Sequence, residues 1–421
     1  HPQPLSLPEI QHALDPDTLL LEYSLGNPRS YLWVAGNTSI SSYELPDRGQ
    51  IEQAARDFYD LLIAPGLADN GQKTGHRTLQ TTDAVHTSKP RELSQILLGP
   101  AISRLGTKRL VVVTDGALDY IPFAALPEPG TADGQPLAVN HEIVSLPSVS
   151  VLSALRRELA GRSPAPKAIA VLADPVFEKD DPRVRLAQHR AGAIRQRLPK
   201  AQGNGEDSGL SGELRRAASE TRAADSGLRF ERLPSGHGEA VAIAGLVPAG
   251  ERKIALDFDA SLQTAMSPDL AQYRIIHFDT HGLLDSVHPE LSGMVLSLVD
   301  RLGRPQDGFL RLNEIYNLKL PADLVVLGAC ETALGKEVRG EGLIALTRGF
   351  IYAGAARVMA SLWRVDDHAS AELMKYFYRG VIRQGLTPAA ALRAAQLEMW
   401  RQDRWNNPYY WAGFVLQGEW K

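Results

Sequence analysis

The feature that most constrains this chain is a long alternation of helix-type and strand-type segments. From Gly238 onward GEAVAIAGL, KIALDF, ASLQTAM, YRIIHFDTHG, GMVLSLVD, LRLNEIYNL, DLVVLGACET, EGLIALTRGFIYAG, ARVMASLWRV, AELMKYFYRGVIRQ, PAAALRAAQLEMW and WAGFVLQG follow in order. Short runs of Val, Ile and Leu read as strands buried on both faces, and the longer amphipathic segments read as helices. Strands alternating with helices predict an α/β fold whose mostly parallel sheet is covered on both sides.

The upstream part has the same character with a different start. LLLEY (19–23) and SYLWVA (30–35), joined by the turn GNPR, read as a hairpin. In QIEQAARDFYDLLI the apolar residues Ile51, Ala54, Ala55, Phe58, Leu61 and Leu62 recur at helical spacing. A helix over 93–105 then leads into the strand of RLVVVTDGALDYIPFAAL. HEIVSLPSVSVLSALRREL supplies a strand and a helix capped by Ser148, and KAIAVLADP a further strand. Over 181–234 the pattern stops: arginines from Arg183 to Arg232 are mixed with Gly, Ser, Ala and Glu. Few large apolar residues interrupt them, so the stretch reads as an exposed, mobile insertion. The expected organisation is an N-terminal α/β part over 1–180, the Arg-rich insertion over 181–235 and a C-terminal part over 236–421.

Composition narrows the function classes. With 44% hydrophobic and 22% charged residues in 421, the chain can bury a sizeable core. A net charge of −4 provides no global field for nucleic acid or an anionic membrane, and acidic residues interrupt the arginines of the insertion, so neither is expected as a partner. Cys330 is the only cysteine, which rules out an intramolecular disulfide and a Cys-rich zinc site. The histidines show no ligand spacing, and no metal or cofactor is expected. No apolar run reaches the length of a membrane span, so a cytoplasmic protein is expected.

In an open parallel sheet, functional groups collect beyond the carboxyl ends of strands. One strand here delivers His281 and Gly282, and another delivers Cys330, 49 positions later. If the strands are neighbours, their tips bring an imidazole to a thiol. An ordinary cysteine is only a few per cent thiolate at neutral pH and needs such a base to become a nucleophile. The backbone N–H groups of Gly282 and Cys330 could together hold an oxyanion. The plainer reading of a lone strand-end cysteine is a small buried hydrophobe. His277, on the same strand, reads as a core histidine.

HFDTHG, LVVLGACETALGKEVRGEGLIALTRGFIYAGAARVMASLWRVDD and NNPYYWAGFVLQGE resemble the CHAT-domain family, caspase-like cysteine peptidases related to separases. LLLEY, VVVTDGALDYIPFAAL and VLADPVF extend the likeness through the N-terminal half. The resemblance implies a caspase-type α/β/α sandwich, with a pseudo-caspase N-terminal half and a peptidase C-terminal half. It further implies that His281 and Cys330 form a catalytic dyad, and that tetratricopeptide repeats commonly precede such a domain. In several relatives the residue two before the nucleophile is acidic and lines the specificity pocket. Here it is Gly328, so any acidic wall must come from elsewhere.

SLWRVDD resembles the segment on which caspase and separase substrates lie, making Ser361 and Trp363 candidate substrate contacts. Asp366, Asp367 and Asp279 are candidate carboxylates for a basic substrate residue, since a buried carboxylate suits Arg or Lys. The competing role for Asp367 is to cap the helix beginning near His368. The loop GKEVRGEG (335–342) offers Arg339 as a possible self-cleavage site. The expected function is a cysteine endopeptidase acting on protein substrates after a basic residue, latent until a partner, the repeat region of a longer parent, or self-cleavage activates it. The alternatives are a non-catalytic scaffold that binds protein partners, and a thiol hydrolase or transferase for non-peptide acyl groups.

Overall fold

The Val, Ile and Leu runs become interior strands of one sheet. In a computed structural model the described residues are 5–69, 88–131, 134–197, 230–284, 292–328, 330–333 and 341–421, with backbone alone at 67–69, 190–197, 284, 330–333 and 341–343. The strands are β1 (Thr18–Ser24), β2 (Ser30–Gly36), β3 (Ser39–Leu45), β4 (Arg109–Val113), β5 (Ile143–Leu146), β6 (Lys167–Pro175), β7 (Arg252–Asp257) and β8 (Tyr273–Asp279). They continue as β9 (His281–Leu284), β10 (Gly293–Val295), β11 (Phe309–Arg311), β12 (Leu324–Leu327), β13 (Cys330–Ala333), β14 (Arg357–Ser361) and β15 (Phe414–Gly418).

Eleven of these form a sheet in the order β3-β2-β1-β4-β5-β15-β14-β12-β8-β6-β7. Two parallel sets meet in it. β1, β4, β5 and β15 run parallel to one another, as do β14, β12, β8, β6 and β7. The sets join through the antiparallel pair β14–β15, which has five residue pairs from Arg357↔Gly418 to Ser361↔Phe414. By contrast β15 meets β5 at one pair, Gln417↔Ser145. The hairpin expected at 19–35 is present as β1–β2.

Consecutive residues of β8 show that both faces are covered, because neighbouring side chains on a strand point to opposite sides. His277 meets Tyr378 on the helix Asp367–Tyr378, whereas the ring of Phe278 lies 5.7 Å from that of Phe350 on the helix Glu341–Tyr352. Both residues are fully buried. At about 25 cal/mol per Å² of apolar surface, such central strands are the main source of the fold's stability.

Three sequence expectations need correction. β6, assigned by chain order to the N-terminal part, pairs with β8 and β7 in the C-terminal set. Its two neighbours lie far downstream, and nothing local in 167–175 specifies them. The stretch expected to be mobile from 181 begins with a helix, Pro182–Arg197, whose Val184 is buried against Val176, Phe258 and Val299, while 198–229 lies outside the described residues. Finally, YRIIHFDTHG and DLVVLGACET are each two strands. β8 gives way to β9 and β12 to β13, and β9 and β13 belong to a second sheet ordered β11-β10-β9-β13. At the bend, the buried Thr280 hydroxyl donates to the Val295 carbonyl on β10, which spares it an unmet polar group.

Candidate functional site

The two sheets share one register. β12 pairs with β8 as Leu324↔Ile275 through Leu327↔Phe278, and β13 pairs with β9 as Cys330↔His281 through Ala333↔Leu284. Both strands therefore leave the main sheet together and keep their offset, setting Cys330 directly across from His281. This is the meeting of strand tips that the residue order suggested.

The His281 imidazole is 4% exposed and lies between Phe177 and Phe230, with ring centroids at 5.3 and 5.7 Å. These aromatics belong to a small apolar cluster with Leu283, Val295 and Phe309. Nε2 stands 2.6 Å from the Glu231 carbonyl oxygen. A carbonyl only accepts, so Nε2 carries the proton and Nδ1 keeps its lone pair. Burial, helped by the charge of Arg364, lowers the His281 pKa below its ordinary value and favours the neutral ring. Glu231 was not among the sequence candidates. Its contribution comes from a backbone atom 50 positions upstream, which no side-chain pattern could flag.

Around the end of β8 lies an acidic group. Asp279 is buried and its Oδ2 has no hydrogen-bond partner. That oxygen abuts Gly236, where a Cβ would collide with it, and a Cβ on Gly328 would come within 3.4 Å of Oδ1. Asp279 thus places a carboxylate beside Gly328, one strand over. Burial, followed by the neighbouring Glu239, raises the Asp279 pKa well above the usual carboxylate range. Burial, with the charge of Asp367 second, pushes Glu239 up to about 8, and burial pulls His277 down to about 4. Glu239 Oε1 and His277 Nε2, 3.3 Å apart, therefore meet as neutral acid and neutral imidazole, and His277 Nδ1 lies 2.9 Å from the Tyr378 hydroxyl.

The remaining candidates occupy different settings. Asp366, rather than Asp367, caps the helix Asp367–Tyr378, accepting from Ala369 N at 2.9 Å. Asp367 instead accepts from Ser235 N at 2.9 Å and faces the acidic group. Ser361 and Trp363 are internal: the Ser361 hydroxyl donates to the Trp363 carbonyl, and Trp363 Nε1 donates to the Tyr409 carbonyl. Their side chains are committed to internal bonds and packing, unlike the exposed contact expected of them. Gly282 sits on β9 between β10 and β13, so its N–H lies in the plane of a strand paired on both sides. Arg339 lies outside the described residues.

A second ionic group stands at the ends of β6 and β7. Asp174, Asp257 and His237 bring possible ligand atoms within 4.8 Å of one another. Asp174, however, is already held by Arg183 at 2.9 Å and by Arg232 at 2.7 Å, and Arg183 also reaches Asp257 and Asp181 at 2.8 Å. Two guanidinium groups in the donor set make this an ion-pair network and leave no place for a cation.

The large, mostly parallel sheet is similar in fold to that of separase. A crystal structure of the Saccharomyces cerevisiae separase–securin complex matches 97% of this chain and 30% of that chain at a TM-score of 0.53, with 9% sequence identity. The chain belongs to the CHAT-domain family, whose model matches residues 87–419. Tetratricopeptide repeat protein 28 of Homo sapiens is 39% identical over 113 residues, 27% of this chain. Its counterpart in Mus musculus is 37% identical over 105 residues, 25% of this chain. The matched regions span only 4% of the length of these curated relatives. Among the described residues, no helix is long and apolar enough to cross a membrane.

Proposed function

We propose that the chain is a cysteine endopeptidase in which Cys330 is the nucleophile and His281 the base. The observation carrying this reading is the Cys330↔His281 register, together with the Nε2–Glu231 bond that leaves Nδ1 as the proton acceptor. His281 Nδ1 takes the thiol proton, and the thiolate sulfur bonds to the scissile carbonyl carbon. The tetrahedral oxyanion collapses, the C–N bond breaks, and the amine leaves with the proton from His281. Water then hydrolyses the thioester and restores the thiol. The Gly282 and Cys330 N–H groups are the donors for the oxyanion.

The acidic group at Asp279 supports preference for a basic residue before the scissile bond. A buried, unpartnered carboxylate oxygen beside two glycines and near Asp367 gains most from a guanidinium or ammonium. Latency is supported by the pairing of β9 on both sides, since release of β9 from a neighbouring strand would open Gly282 to an oxyanion. A protein partner, the repeat region of a longer parent, or self-cleavage at Arg339 would supply that release.

The test is the intact mass of the protein after incubation with an Arg-ended peptidyl electrophile. One adduct on the native chain, absent from Cys330→Ala and strongly reduced in His281→Ala, is the expected result. No adduct on a folded native chain whose Cys330 also reacts with iodoacetamide no faster than an ordinary thiol overturns the reading and favours the second one, a non-catalytic scaffold for protein partners. The burial of His281 and the repeat-protein relatives favour that second reading.

A further inference from the structure

The short segment after the Arg-rich stretch touches the site at successive residues. Phe230 packs on the His281 ring, Glu231 presents its carbonyl to Nε2, and Arg232 turns back to Asp174. Arg232 makes two parallel bonds, Nε to Oδ1 at 2.8 Å and Nη2 to Oδ2 at 2.7 Å. Such a fork fixes direction as well as distance.

Asp174 is a firm anchor. Its side chain has no exposure, and it sits at φ 49°, a left-handed conformation that costs a non-glycine residue about 1 kcal/mol or more. It lies where the β6–β7 register shifts between Ala173 and Pro175. Arg183 holds its carboxylate at 2.9 Å, its carbonyl at 2.7 Å and the neighbouring Pro175 carbonyl at 3.2 Å. Asp174 is thus compensated without Arg232, which itself is 46% exposed at its side chain and is bonded to Asp174 alone among the described residues. What the Arg232 pair adds is restraint on its own backbone, one residue from the carbonyl that His281 uses.

Resting on the peptidase reading, we propose that Arg232 is a positioning residue: its two-pronged bond to Asp174 holds the Glu231 carbonyl on His281 Nε2 and so keeps Nδ1 free to accept the Cys330 proton. Phe230 and Phe177 supply the walls that stop the ring from turning. Removing Arg232 leaves Glu231 with only its long, exposed contact to Arg364 at 3.5 Å, while the dyad residues stay in place.

The experiment uses the full chain, ¹⁵N-labelled at histidine, with the His281 signals identified by their loss in His281→Gln. The native ring is expected as the Nε2–H tautomer. Arg232→Ala is expected to give mixed tautomers and to slow alkylation of Cys330 by iodoacetamide at neutral pH by roughly 10- to 100-fold, the usual scale for losing an orienting partner. Arg232→Lys should recover part of both, having charge without the fork. An unchanged tautomer in Arg232→Ala overturns the proposal, and so does an unchanged or faster alkylation; faster reaction would mean that Arg232 blocks the site. Should Arg232→Ala fail to fold, Arg232→Gln takes its place, with mixed tautomers and slower alkylation than the native chain again expected. If Cys330 of the native chain reacts no faster than an ordinary thiol, the peptidase reading fails, while the tautomer still decides the role of Arg232.

Discussion

The two parallel sets of strands are built alike and end differently. In the N-terminal set the chain leaves β4 through Thr114 to Asp115, which accepts from Leu25 N at 2.8 Å and from Arg48 at 3.1 Å. β5 runs out into Pro147 and the Ser148 cap of the helix Val149–Leu159. Those strand ends serve the scaffold. In the C-terminal set β6 ends near Asp174, β8 in Asp279, and β8 and β12 continue into His281 and Cys330. There polar groups are buried beyond what packing needs, and one carboxylate oxygen is left without a partner. One scaffold thus carries polarity tied into structural bonds in one set of strands and buried, partly unpartnered polarity in the other, the set on which the proposed dyad stands.

The largest effect expected from this contrast is at the dyad. His281→Ala should lower the alkylation rate of Cys330 by about 10²–10⁴-fold, the range for loss of a general base. In the native chain the rate should hold below pH 6.5, because the His281 pKa is lowered, and then fall as pH drops through that lowered value. A profile centred on an ordinary imidazole would break the link between burial and function.

Next is the buried acid. Glu239, raised from 4.5 to about 8, contributes stability that is fully present below pH 4.5 and is lost as pH rises toward 8. His277, lowered from 6.5 to about 4, acts oppositely: its contribution is present above pH 6.5 and is lost as pH falls toward 4. Glu239→Gln keeps the neutral shape, so its Tm relative to the native chain should rise with pH. The gain between pH 4.5 and 7 should be of order 3 kcal/mol, measured by thermal unfolding. A difference independent of pH would mean that Glu239 is ionised in the fold.

Asp279→Asn should reduce kcat/KM for peptides with Arg before the cut by roughly 10- to 100-fold, the worth of one charge-assisted pair, and change Leu or Met substrates little. Equal losses on both would remove Asp279 from specificity. The smallest effect belongs to the scaffold end. Asp115→Ala should cost about 1 kcal/mol of stability in urea unfolding, for the lost Leu25 and Arg48 bonds, and leave the alkylation rate of Cys330 unchanged.

Much of the arrangement was readable from residue order because it depends on short-range pattern. The apolar runs of β8 and β12 have the length and composition of doubly buried strands. Since the two strands are parallel neighbours in register, the 49-residue offset between Ile275 and Leu324 carries through to His281 and Cys330. The bend at Thr280 was not readable, because HFDTHG is equally good as one strand and the break depends on Val295, supplied by another. Nor was the place of β6, since sheet order is set by packing between segments far apart. The cap at Asp366 was missed by one residue, a usual margin for helix ends. Ser361 and Trp363 looked available because a motif names residues without their burial; Tyr409 fills the space beside them. The bond between Arg232 and Asp174 spans 58 positions, with no periodicity to betray it.

The single β5–β15 pair has a consequence for how the strands β1 to β5 stay attached to the rest of the sheet. Two arginines bridge this seam toward backbone carbonyls, Arg162 to Gly354 at 2.7 Å and Ala322 at 3.1 Å and Arg393 to Ala138 at 2.7 Å, while Arg156 and Arg162 also pair across it with the carboxylates of Glu419 and Asp323. Dissolved ions weaken attraction between full charges far more than a short bond from a guanidinium to a neutral, half-buried oxygen. Added salt therefore loosens the two ion pairs at this seam and leaves the guanidinium–carbonyl bonds beside them largely in force, so cohesion there declines with ionic strength only in part.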